Sequence, residues 1–189
     1  MKVIGLTGPA AAGKNEVARI LRRRGAQVID ADKVAHELYA TQSPVWHELI
    51  KAFGSRILVR GGKIDRKKLG ELVFADQKKL RLLNKLVHPA LKTKIVEIIE
   101  SCKSSVVSCK LVVINAAVLK EIGLLDLVDE VWVVLASRET RLKRLVKKGL
   151  TGKEARQRVG TQLPQKEYLR IADRVIRNEG TLKQLYAGI

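Results

Sequence analysis

Val3-Ile4-Gly5-Leu6-Thr7-Gly8-Pro9-Ala10-Ala11-Ala12-Gly13-Lys14-Asn15-Glu16-Val17 runs from an apolar segment through a loop of small residues into a segment with helical periodicity. Strand, phosphate loop and helix follow in that order, and the loop fits G-x-x-x-x-G-K. Gly8 and Gly13 let the backbone turn tightly and offer N–H groups, not side chains, to phosphate oxygens. Ala11 and Ala12 complete the cradle. The helix opening at Lys14 adds its positive dipole end, and Lys14 adds a cation for the β- and γ-phosphates. Glu16 lies in the same first turn. The next motif position ordinarily offers a hydroxyl to Mg²⁺. Asn15 stands there instead. Its amide oxygen can ligate the metal, hold a coordinated water, or cap the helix.

The chain outside this stretch supports an α/β fold. Apolar runs over 27–30, 111–115 and 130–135 read as further strands, with a short last strand over 173–178. The first helix spans 14–24 and ends at Gly25. From 33 to 101 no strand pattern appears, and the signals are helical. Ser43-Pro44 marks a break, Asp65 and Asp76 are caps, and Pro89 is expected to open a separate helix. A turn is expected at 101–105, and strand three is expected to start between 106 and 111. Ser137 and Thr151 cap two later helices, and Glu154 completes a capping box with Thr151. Alternating strands and helices predict a parallel sheet of about five strands. The predicted layout is a nucleotide-binding core over 1–32, 102–137 and 162–189, a helical substrate-binding insertion over 33–101, and a basic lid over 138–161.

Composition narrows the function. Of 189 residues, 46% are hydrophobic but only 4% aromatic, so the core is aliphatic. No apolar run approaches the ~20 residues of a membrane span, and residues 1–7 do not resemble a signal peptide. The expected location is the cytoplasm. Lys and Arg number 37 against 19 Asp and Glu, a formal charge of +18 that favours anionic ligands. Helix-turn-helix, zinc-finger and aromatic stacking patterns are lacking, which points to small phosphorylated ligands rather than nucleic acid. Cys102 and Cys109 have no metal-site spacing and read as reduced thiols.

Several stretches resemble the dephospho-coenzyme A kinase family of phosphate-loop kinases. They are Ile4-Gly5-Leu6-Thr7-Gly8 with Gly13-Lys14; Val28-Ile29-Asp30-Ala31-Asp32; the run from Asp65-Arg66 to Val73-Phe74; His88-Pro89; residues 158–162; and Ala172-Asp173 with Val175, Ile176 and Asn178. The resemblance covers essentially the whole chain. It implies transfer of the γ-phosphoryl of ATP, with Mg²⁺, to the 3′-hydroxyl of dephospho-coenzyme A. The competing readings are a kinase of another nucleotide-like acceptor and a weakly catalytic relative that binds nucleotide or nucleic acid.

The resemblance assigns roles residue by residue. Asp32 is the expected general base, the alternative being a helix cap at Lys33. Lys14 stabilises phosphate charge. Arg138, Arg141 and Arg144 recur at i, i+3 and i+6, and the family pattern favours Arg138 and Arg141 on ATP. Asn178 is expected near the adenine. Arg66, His88 and Glu121 are substrate-side candidates, and Glu121 is alternatively a metal ligand. The chain also departs from the family. Asn15-Glu16 follows the loop lysine, and Asn115-Ala116-Ala117-Val118-Leu119-Lys120-Glu121 stands where the family has Asp-x-Pro-Leu-Leu-x-Glu. Arg174 and Arg177 flank the last strand.

Overall fold

The computed structural model describes residues 1–104 and 109–189. A possible start of strand three at Val106, and Ser105 of the expected turn, lie outside the described residues. The chain divides into two compact units, Met1–Ile29 with Cys102–Ile189, and Asp30–Ser101.

The first unit is built on a five-stranded sheet. β1 (Lys2–Thr7), β2 (Gln27–Asp30), β3 (Leu111–Asn115), β4 (Glu130–Leu135) and β5 (Arg174–Arg177) lie in the order β2-β3-β1-β4-β5. β1 pairs in parallel with β3 and β4, and β4 with β5. β1, β3 and β4 are buried along almost their whole length, which is why they read as continuous apolar runs rather than alternating ones. The register sets Leu6 against Asn115 and Thr7 against Val133, so β1, β3 and β4 end side by side.

α1 (Lys14–Arg23) buries Val17, Ala18, Ile20 and Leu21 on this sheet. They join Ile4, Leu6, Val113, Trp132, Val134 and Ile176 in one aliphatic core. α6 (Arg138–Lys147) and α7 (Gly152–Gly160) form a satellite around Leu145, Ala155 and Val159, with Ala11 of the phosphate loop packed against it. Thr151 and Glu154 make the expected capping box. α8 (Gln165–Leu169) and α9 (Leu182–Gly188) complete the unit. The departure at Arg174 has a packing role. Its guanidinium lies 4.4 Å from the centre of the Trp132 ring and donates to Gly188 O.

The second unit contains α2 (Ala31–Glu37), α3 (Pro44–Phe53), α4 (Arg66–Phe74) and α5 (Gln77–Ser104), whose last residues pass into the first unit. Val45, Leu49, Phe53, Ile57, Leu69, Val73 and Val87 form its core. Ser43 caps α3 with Pro44 in the first turn, and Asp65 caps α4 through Lys67 N and Lys68 N.

Two expectations about this unit are corrected. Pro89 does not open a helix; it lies inside α5, which is continuous for 28 residues. Proline removes one N–H bond and crowds the preceding turn. Here Val87, Leu91, Ile95 and Ile99 make one buried stripe at four-residue spacing on both sides of it. That stripe is buried only if both halves keep a single helical phase, and its burial outweighs the local cost. For the same reason Ser101 to Ser104 are the end of α5 rather than a turn. No helix among the described residues is long and apolar enough to cross a membrane.

Candidate active site

The phosphate loop links β1 to α1 at the carboxyl edge of the sheet, where ligands sit in open parallel sheets. Its two glycines are required by geometry. Gly8 has φ +141°, and a Cβ there would lie 2.1 Å from Val134 O. Gly13 has φ +111°, and a Cβ there would lie 2.0 Å from Asn178 Nδ2. Between them Ala11 takes φ +61°, a left-handed conformation that costs a non-glycine residue energy.

The loop is held in that shape from outside, through its carbonyls. Arg141 Nε donates to Ala10 O at 2.9 Å. Arg144 Nη1 donates to Ala11 O at 3.2 Å and Ala12 O at 3.1 Å. Asn178 Nδ2 donates to Ala12 O at 2.8 Å. In a trans peptide the N–H opposes the C=O of the preceding residue. Fixing the carbonyls of Ala10 and Ala12 outward therefore turns the N–H groups of Ala11 and Gly13 the other way. The N–H groups that open α1 adjoin them, making one cradle of donors at a positive dipole end.

The cradle opens on a cavity of about 560 Å³ whose walls include Ala11, Gly13, Lys14, Asn15, Glu16, Arg144, Lys147, Lys148 and Asn178. Four cations face one carboxylate there, a field suited to a polyphosphate. Lys14 Nζ donates to Gly8 O at 2.7 Å, and the Glu16 carboxylate accepts from Arg19. Arg144 also reaches Asn178 through its backbone and side-chain oxygens, so α6 braces both the loop and the segment after β5. Glu179 adds a second brace, accepting from Ser137 N and Thr140 Oγ1. Slight burial raises its pKa, but the bonds from Thr140 and Ser137 and the nearby Arg144 charge outweigh that and hold the carboxyl below its ordinary value.

Of the three arginines on α6, the structure places Arg144 on the cavity wall. Arg141 is occupied by Ala10 O and Gln162 Oε1, and burial lowers its guanidinium pKa. Arg138 is exposed at the start of the helix. The spacing puts all three near one face and the resemblance favours Arg138 and Arg141 on ATP, whereas of the three it is Arg144 that lines the cavity. Gln162 was not singled out either, yet its Oε1 accepts from both Ala10 N and Arg141. Arg144→Met is expected to destabilise the protein by about 2 kcal/mol, because two loop carbonyls and Asn178 lose charge-assisted bonds. A melting curve is expected to fall by about 4–8 °C, and ADP affinity, read by calorimetry, is expected to fall with it. Unchanged melting and ADP binding would show that these bonds contribute nothing.

Glu121 lies on a different wall. A cavity of about 280 Å³ at the end of β1 is lined by Thr7, Ala117, Leu119, Glu121, Glu167 and Tyr168 among others. Burial raises the Tyr168 phenol, the Glu121 charge raises it further, and Arg141 opposes both.

In the helical unit, Asp30 rather than Asp32 caps α2, its Oδ1 accepting from Lys33 N. Asp32 is exposed in the first turn. Arg66 opens α4, and its charge acts on the half-buried Tyr39 phenol, whose pKa burial raises more than Arg66 lowers it. His88 is half-buried on α5. The cysteines are free, and burial followed by the neighbouring Cys109 raises the Cys102 thiol, making it a poor nucleophile.

Among the described residues, no group of three His, Cys, Asp or Glu side chains is placed to hold a metal. Apart from the Glu16 carboxylate, the side-chain oxygen donors beside the loop are amides. Asn115 at the end of β3 is buried, and its Nδ2 donates to Asn15 Oδ1 at 3.0 Å. Its own Oδ1 is buried with no hydrogen-bond partner among the described residues.

Comparison with known proteins adds an independent line. A family model described as dephospho-CoA kinase matches residues 2–184. The dephospho-CoA kinase of Geobacter sulfurreducens is 42% identical over 98% of this chain and 93% of that protein. That of Carboxydothermus hydrogenoformans is 39% identical over 97% and 88%. Among solved structures, a Thermus thermophilus protein superposes with a TM-score of 0.81 at 30% identity, covering 97% of this chain and 92% of that one. Dephospho-CoA kinase from Campylobacter jejuni gives 0.73 at 27%, covering 100% and 94%. A shikimate kinase from Acinetobacter baumannii shares the fold alone, at 0.52 and 17% identity.

Proposed function

The chain belongs to the dephospho-CoA kinase family, and from that premise we propose how its residues divide the work of the reaction. The activity is ATP-dependent phosphorylation of dephospho-coenzyme A, the final step of coenzyme A biosynthesis. The acceptor atom is the ribose 3′-oxygen. That oxygen attacks the γ-phosphorus, the bond from phosphorus to the β–γ bridging oxygen breaks, and ADP leaves. The hydroxyl proton must go to a base.

The observation that carries this reading is the set of loop carbonyls held outward by Arg141, Arg144 and Asn178. It leaves the N–H groups of Ala11 and Gly13 and the start of α1 to bind the phosphates. Lys14, on a flexible stem, neutralises charge that builds on the transferring group. The wall of Arg144, Lys147, Lys148 and Asn178 takes the rest of the nucleotide.

Asp32 accepts the proton. Two facts support that assignment. It matches the Asp-Ala-Asp element after β2, and Asp30 performs the capping that otherwise explains an Asp at this point. In the helical unit, Arg66 and His88 bind the acceptor, with Arg66 directed at its phosphate groups. Glu121 orients the acceptor from the first unit. Mg²⁺, when bound, shields the β- and γ-phosphate charge and aligns the group for in-line transfer. The buried, unbonded Asn115 Oδ1 and the neighbouring Asn15 fit a hard, oxygen-seeking ion.

The assay is ADP release with ATP and either dephospho-coenzyme A or a panel of nucleosides and nucleoside monophosphates. Turnover is expected with dephospho-coenzyme A at least about tenfold above any other acceptor in kcat/KM, about 1.4 kcal/mol of discrimination. Turnover confined to the panel would overturn the acceptor assignment.

A further inference from the structure

The phosphate-loop motif asks for a hydroxyl after its lysine, and this chain has an amide there. A second amide meets it. Asn15 lies in the first turn of α1, and the pairing of Leu6 with Asn115 brings the end of β3 alongside. The two side chains bond to each other, Asn115 Nδ2 to Asn15 Oδ1, across a hundred residues of sequence.

That bond fixes the direction of the Asn115 amide. With Nδ2 spent on Asn15, Oδ1 is the end left over. Asn115 is only 7% exposed, and this oxygen has no hydrogen-bond partner among the described residues. Buried polar atoms are almost always satisfied, so an orphan beside a ligand site marks a missing partner. The cations nearby, Lys14, Arg144, Lys147 and Lys148, make the cavity a poor place for a bare metal ion. A carboxylate at either position would offset part of that field; two amides do not.

We propose that Asn15 and Asn115 are a matched neutral pair that makes divalent-cation binding depend on the nucleotide, with Asn115 Oδ1 as the protein's ligand and Asn15 as the residue that positions it. The pair supplies geometry and no charge, and the nucleotide phosphates supply the charge. The cation therefore enters with the nucleotide and never ahead of it. This rests on the nucleotide reading of the site but not on the identity of the acceptor.

The test is direct binding of Mn²⁺, followed by its electron paramagnetic resonance signal, to the full chain with and without ADP. Wild-type protein is expected to show no saturable Mn²⁺ binding alone into the millimolar range, and saturable binding once ADP is present. Asn115→Asp adds a negative charge in the same volume, and metal affinity follows ligand charge. It is expected to bind Mn²⁺ without ADP and to tighten Mn²⁺ in the ADP complex about tenfold or more. Asn115→Ala is expected to weaken Mn²⁺ in the ADP complex by about tenfold or more while leaving metal-free ADP affinity unchanged. Asn115→Asp keeps the shape of the side chain, so the test survives if the alanine variant does not fold. Wild-type protein that binds Mn²⁺ equally well without ADP overturns the proposal, as do Asn115 variants with unaltered Mn²⁺ affinity. If the Mn²⁺ pattern appears but dephospho-coenzyme A is not phosphorylated, the acceptor assignment fails and the pair stands. If ADP does not bind at all, both fail.

Discussion

Asp32→Asn is expected to lower kcat by about 10²–10⁴, the ordinary worth of a positioned general base and equivalent to about 3–5 kcal/mol. Asparagine keeps the size and polarity of the side chain but cannot take the 3′-hydroxyl proton. Asp32 is exposed in the first turn of α2, and the cap of that helix is Asp30. The variant therefore loses only a favourable charge near a helix start, about 0.3–1 kcal/mol. Its melting temperature is expected within about 4 °C of wild type, so a rate loss cannot be blamed on unfolding. ADP affinity is expected to stay level, because proton transfer is needed only in the transition state. Single-turnover rates beside ADP calorimetry separate the two effects. A rate within about threefold of wild type, which is under about 1 kcal/mol, would remove Asp32 from the chemistry. Equal loss of rate and of ADP binding would recast it as part of the nucleotide site.

What the sequence disclosed depends on the range of the physics involved. β1, β3 and β4 are strands buried on both faces, and continuous apolar character is a local signal of that burial. The caps at Asp65, Ser137 and Thr151 act within three residues and were legible for the same reason. Pro89 misled because a local rule met a distant demand. The penalty of a helical proline is visible in the sequence, but the stripe from Val87 to Ile99 that outweighs it requires knowing what the helix packs on. At the site, the loop residues were legible and their supports were not. Which of Arg138, Arg141 and Arg144 faces the loop depends on the rotation of α6 about its axis, and an i, i+3, i+6 spacing does not set that angle. The hydrogen bond between Asn15 and Asn115 spans the chain from α1 to β3. Each residue alone looks like a defect in a motif, and only the sheet register makes them partners.

Gly8→Ala is expected to damage the fold itself, not only the nucleotide site. Two costs coincide there. The added Cβ must hold φ near +141°, a strain of about 1–3 kcal/mol for a non-glycine residue. It must also occupy space 2.1 Å from Val134 O. That oxygen is backbone in β4, the strand paired with β1 on one side and β5 on the other. A flexible side chain would yield; a carbonyl in the middle of three paired strands moves only if the sheet moves. Overpacking of this kind costs about 1–3 kcal/mol. The expected total is about 3 kcal/mol or more, a fall in melting temperature of about 6–12 °C for a chain of this size. Gly25→Ala is the control. Its φ of +91° imposes a similar conformational strain, but no described residue lies within 4 Å of the new Cβ. It is expected to cost about 1 kcal/mol and about 2–4 °C. The difference between the two melting curves isolates the contact with β4 from the strain common to both. Equal melting would mean that the sheet gives way at Val134. In that case the phosphate loop would owe its shape to Arg141, Arg144 and Asn178 rather than to the strand beneath it, and Arg144→Met would be the more damaging substitution.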